Sequence, residues 1–154
     1  MRAERGFSFI ELLIVTTILL ILAAAVMPLA EVTAQRQREV ELRRALREMR
    51  TAIDRFKDLA DLQTIPPASL EPENQGYPPD LDTLVEGIDT KQAVEVKLKF
   101  LRRIPIDPMT NSMEWGLRSY QDESNSSSWG GQNVFDVYTK SDATALDGTR
   151  YRDW

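Results

Sequence analysis

Hydrophobic and polar positions divide this chain into three regimes. From Leu12 to Ala30, nineteen residues pass without a charge, and at ~1.5 Å per residue such a helix covers roughly 28 Å, about the hydrocarbon thickness of a bilayer. From Glu31 to about Thr64 the apolar residues recur three and four apart: Val40, Leu42, Ala45, Leu46, Met49, Ala52, Ile53, Phe56, Leu59 and Ala60. That period predicts an amphipathic helix. Charges of both signs fill the other face and offer i,i+4 pairs such as Glu39 to Arg43. No glycine and only Pro28 interrupt residues 7–64, so both stretches are expected to join in one rod of roughly 55 residues, ~80 Å long. Pro28 removes an amide donor and crowds the carbonyl near Ala24, which predicts a kink or local melting between Leu22 and Pro28.

Pro66-Pro67 is expected to end the rod, and residues 65–80 read as loop. Asp80 is a candidate cap for a short helix carrying Leu81, Leu84 and Val85, with Gly87 as its stop. A polar stretch with Lys91, Lys97 and Lys99 follows, then Phe100 to Pro108, whose prolines favour an edge or irregular crossing. Residues 115–120 and 133–139 read as strands around the polar loop 121–128. They predict one small antiparallel sheet, too small to stand alone, packed on the helix stripe from Leu42 to Phe56. The expected fold class is α+β, a lollipop with a long N-terminal helix bearing a compact head.

Composition narrows the chemistry. About 124 residues remain from Glu31 onward, enough for one domain. With 24 acids against 19 bases and a net charge of -5, the chain is no general binder of nucleic acid. It contains no cysteine and no histidine, which excludes disulfides, zinc chemistry and His-dependent catalysis. Carboxylates remain, so hard cations such as calcium stay open. Arg2 and Arg5 on the short N-terminal flank place that end in the cytoplasm by the positive-inside rule, with the remainder outside.

Glu11 stands at the edge of the apolar run with no nearby partner, where an ionisable group marks function by default. Arg5-Gly6 followed by Phe7-Ser8-Phe9-Ile10-Glu11-Leu12-Leu13 resembles the type III signal of type IV pilins and type II secretion pseudopilins. The resemblance implies that a prepilin peptidase cuts after Gly6 and methylates the new N-terminal Phe7, leaving Glu11 fifth in the mature chain. A glycine before the cut lets backbone approach the protease. Ala23-Ala24-Ala25 supplies the small residues of an ordinary secretory cleavage site, but Glu11 and the length of the run count against that reading. The implied boundaries are a leader at 1–6, a transmembrane and filament-core helix at 7–30, an amphipathic half at 31–64 and a periplasmic head at 65–154.

Further motifs are similar in order to the G-type major pseudopilin: Tyr77-Pro78, Leu81 and Leu84, Leu101 through Ile104-Pro105-Ile106-Asp107-Pro108, Asp136-Val137-Tyr138, and a last loop ending in Trp154. In that family the last loop binds calcium. Asp142 stands where its first aspartate is expected, whereas Thr149 and Arg150 occupy the places of two acids. Either Asp147 joins Asp142 at a calcium ion, or Arg150 replaces the cation and pairs with Asp142, or the loop is simply solvated, since a site needs about six oxygens and this loop offers few carboxylates.

The resemblance implies a structural subunit of a type II secretion pseudopilus, without catalytic residues, in the bacterial inner membrane. Its partners would be copies of itself, minor pseudopilins, the inner-membrane assembly platform and the prepilin peptidase, with Glu11, Phe7 and Pro28 serving assembly. The alternative in the same architecture is a major or minor type IV pilus subunit for adhesion, motility or DNA uptake. A remoter reading is a membrane-anchored periplasmic enzyme or sensor using Asp107, Asp136 or Asp142 as acid/base groups.

Overall fold

A computed structural model describes residues 8–66, 72–90 and 93–154, without the side chains of 25–29, 90 and 93–96. Helix α1 spans Phe9–Asp61, opened by the bond from the Leu12 amide to the Ser8 carbonyl. Pro28 does not interrupt it: in this chain the expected melting between Leu22 and Pro28 is absent from the helix. The chain forms two compact units, residues 1–37 and 38–154.

In the second unit the predicted stripe is the core. Leu42, Leu46, Met49, Ile53 and Phe56 are all but inaccessible, and they cluster with Ile65, Leu84, Leu101, Trp115, Val134, Val137 and Tyr151. Burial of one such side chain stabilises by about 1.5–3 kcal/mol, which is how this short stripe organises the unit. α1 ends at Asp61, before Thr64 and the prolines. Gln63 takes φ 55°, its amide donates to Ala60 and the Thr64 amide donates to Leu59, the paired closure of a left-handed helix cap. Ile65, which precedes Pro66 and is therefore turned away from helical geometry, drops into the core.

Helix α2, Leu81–Glu86, starts and stops as expected. The Asp80 carboxylate accepts the Thr83 amide at 2.7 Å, and Gly87 leaves at φ 82°, where a Cβ would come within 2.7 Å of the Leu98 carbonyl oxygen. Strands β1, Ile88–Thr90, and β2, Ala93–Leu98, then form an antiparallel hairpin where only a polar stretch was expected. Strands β3, Gly116–Arg118, and β4, Asp136–Tyr138, pair antiparallel with Leu117 opposite Val137. The β3–β4 ladder is the expected sheet, with the strand runs 115–120 and 133–139 shortened to three residues each, and the β1–β2 hairpin is a second, separate ladder among the described residues. The α+β class holds, with the helix stripe and the β3–β4 ladder sharing one core.

Candidate functional site

Two regions carry the predicted site residues. Gly6 and Phe7 lie outside the described residues. Glu11 lies in the first turn of α1 and is exposed; among the described residues no side chain pairs with it. Around it the helix leaves large apolar side chains in the open: Phe9 is 78% exposed, Ile10 63%, Leu20 70% and Ile21 67%. Thr16 and Thr17 turn their hydroxyls back onto the Leu13 carbonyl, so the polar groups of this stretch are satisfied within the helix. Among the described residues no helix is long and apolar enough to cross a membrane. The sequence span 12–30 includes residues 25–29, whose side chains are not described.

The second region is the loop 141–154, folded back on itself by the Ala145 amide donating to the Thr149 carbonyl, the Tyr151 amide donating to the Ala143 carbonyl and a Thr144–Arg150 bridge. Asp142 does not pair with Arg150. Its Oδ1 accepts from Arg152 Nη1 at 2.9 Å; Arg152 lies on the turn of 3-10 helix, Tyr151–Asp153, that follows the Thr144–Arg150 bridge. Asp147 accepts the Thr149 amide and hydroxyl at 2.9 and 2.6 Å and faces Arg43 at 3.6 Å. The Thr149 hydroxyl and amide, with Arg43 adding less, hold its carboxyl below the usual aspartate range. Each acid is thus already matched by the chain's own donors. A calcium ion needs six to eight oxygens, and among the described residues no group of three acids is placed to hold a metal.

Three residues of α1 hold the loop down, and two of them were expected to pair with each other. Glu39 does not meet Arg43. Its Oε1 instead accepts from the Tyr151 hydroxyl at 2.9 Å and the Leu146 amide at 2.8 Å. Arg43 lies over the Trp154 ring, 4.1 Å from its centroid. Arg50 donates to the Trp154 carbonyl at 2.8 Å. The signal for this clasp was available, since 39, 43 and 50 follow one line along the helix beside the core stripe.

The acids of the enzyme reading are engaged as well. Asp107 is fully buried and accepts from the Met109 amide and the Thr110 and Thr139 hydroxyls. Asp136 is held by Arg50 and Arg118. Together with Asp142 they occupy separate places, each fixing a turn or a strand.

Residues 1–27 match the Prokaryotic N-terminal methylation motif, a prepilin-type signal. No curated protein and no solved structure matches the chain. The motif and the α+β fold with its long N-terminal helix support a protein of the type IV pilin-like and pseudopilin class. Such a signal indicates processing by a prepilin peptidase, membrane anchoring and filament assembly.

Proposed function

We propose that this chain is the structural subunit of a type II secretion pseudopilus. A prepilin peptidase trims it after Gly6 and methylates Phe7, and copies then pack through α1 into a helical filament that drives folded proteins across the outer membrane. The observation that carries this reading is the methylation motif joined to a helix whose apolar side chains from Phe9 to Leu22 are exposed. Apolar surface on that scale has to be covered, first by lipid and then by neighbouring helices. The subunit sits in the inner membrane with its N-terminus cytoplasmic and its head periplasmic, and it works with minor pseudopilins and an inner-membrane assembly platform. Its work is mechanical and uses no catalytic residue. The last loop is held by Glu39, Arg43, Arg50 and Arg152 in place of calcium. A cysteine-free head and the run Ile104 to Pro108 favour secretion over a surface pilus.

The test is co-expression with a prepilin peptidase and an assembly ATPase, followed by electron microscopy of sheared material. Short periplasmic fibres are expected. An absence of fibres would overturn the polymer, and long surface fibres would move the protein to a type IV pilus.

A further inference from the structure

The second unit carries a basic trough beside α1. Two adjoining grooves beside α1, of about 470 and 510 Å³, share Glu48 and Arg102. The first is lined by Arg44, Arg47, Arg55 and Phe100, and the second by Arg103, Ile106 and Met113. All five arginines are exposed, and none has an ion pair among the described residues. Glu48 is the one acid in the lining. The trough is also partly apolar, because Ile106 and Met113 are 55% and 61% exposed. Arginine, methionine and aromatic residues around apolar ground are the composition of a protein interface, with arginine prominent among the residues that carry its energy.

A complementary surface lies on the same chain. Asp82 and Glu86 stand one turn apart on the open side of α2, and Asp89 follows on β1. All three are exposed and without an ion pair among the described residues. We propose that the arginine trough of one copy receives the α2 acids of the next copy, an inference that rests on the polymer reading above. Trough and acids are different patches, so the contact is heterologous, and repeating it yields an open chain of copies. A phosphate backbone suits the trough less well: Glu48 lies at its centre, apolar side chains form part of it and the chain as a whole is acidic.

Because the full chain has no cysteine, introduced thiols report this contact alone. Copies carrying Arg102→Cys are co-expressed with copies carrying Glu86→Cys, and membranes and sheared fibres are oxidised. A disulfide-linked dimer is expected from the mixture and from neither variant by itself. R47E/R103E and D82R/D89R, each introduced into both thiol-bearing copies, should reduce the linked fraction at least tenfold, and the four changes together should restore it. Fibres without the cross-link overturn the interface and leave the pseudopilin reading standing. A cross-link in membranes without fibres does the reverse. A trough that retains duplex DNA in a charge-dependent way while copies stay unlinked belongs to a polyanion, and the proposal fails.

Discussion

Arg50 and Asp136, 86 residues apart in sequence, meet in a two-point ion pair, with Arg50 Nε 2.6 Å from Oδ1 and Nη2 3.3 Å from Oδ2. The same guanidinium donates to the Val137 carbonyl at 3.2 Å and to the Trp154 carbonyl. One side chain of α1 therefore fastens both β4 and the end of the last loop. Asp136 also faces Arg118, its cross-strand partner, at 3.5 Å.

Arg50→Ala is expected to destabilise the second unit by about 2 kcal/mol, since charge-assisted bonds contribute roughly 1.5–3 kcal/mol and this pair is partly solvated. Arg50→Lys should recover less than half, because an ammonium cannot span both carboxylate oxygens and the carbonyls at once. Thermal unfolding of the full chain in detergent measures both. Equal stability of Lys and wild type would show that only the charge matters.

Gly116 lies opposite Tyr138 in the β3–β4 ladder, and a Cβ there would sit 2.3 Å from the Tyr138 ring. Arg118, two residues along the same strand, also lies over that ring, its guanidinium 4.2 Å from the centroid. Gly116→Ala should therefore cost about 1–3 kcal/mol through displacement of the ring, while Gly148→Ala meets no neighbouring atom and strains only its positive φ. If Gly116→Ala unfolds no earlier than Gly148→Ala, the ring does not need the space.

Calcium makes a separable prediction. With Asp142 and Asp147 matched by Arg152, Thr149 and Arg43, EGTA should leave the melting temperature unchanged, and Arg152→Ala should lower stability by less than about 1 kcal/mol, as for other exposed pairs. A drop in melting temperature with EGTA that Asp142→Ala abolishes would return the loop to calcium.

Asp122 and Asp147 set a pH dependence. The Asp122 carboxylate accepts the amides of Ser119 and Gly130 at 2.7 and 3.0 Å, and these bonds, the Ser119 amide first, hold its carboxyl below the ordinary value of 3.8. The folded state therefore binds this proton less readily than the unfolded chain. The stabilisation is complete above the ordinary value and is lost as pH falls through the depressed one. Carboxyl titration by NMR should give midpoints below 3.8 for both groups, with loop 119–130 loosening only under strong acid. A midpoint at or above 3.8 for Asp122 would mean that its amide bonds do not persist in solution.

Most of the helical architecture was legible because it is written in local periodicity. The stripe from Leu42 to Phe56 and the Asp80 and Gly87 stops of α2 each follow from a few neighbouring residues. The β1–β2 hairpin has a signal too: Val94, Val96 and Leu98 alternate with Glu95, Lys97 and Lys99, a period-two pattern obscured by its lysines. Pair partners were not readable. A helix-local Glu39–Arg43 pair is worth only about 0.3–0.5 kcal/mol, less than the two bonds Glu39 accepts together, from the Tyr151 hydroxyl, which is partly buried, and from the Leu146 amide. Only the long-range fold decides that competition. Likewise, Asp142 pairs with Arg152, on the turn after the loop's bridge, and not with Arg150 within it.

The last prediction concerns Glu11, exposed and without a side-chain partner among the described residues in the first turn of α1. Cleavage after Gly6 leaves an α-amine on Phe7, positively charged at neutral pH. Within one chain that amine stands four residues before Glu11 in sequence. A neighbouring subunit shifted along the filament axis, however, can bring its own amine to this carboxylate. In low dielectric, removing one partner of such a pair costs about 3–5 kcal/mol, because the other charge stays buried alone. Each copy then carries half of the pair, and the register between copies is set only when they meet. Glu11→Ala is expected to be inserted and trimmed normally yet to form no fibres, whereas Gly6→Val should block trimming. Processing is read by the mass of the N-terminal peptide and assembly by microscopy of sheared fibres. Abundant normal fibres from Glu11→Ala would show that subunits find their register without this pair.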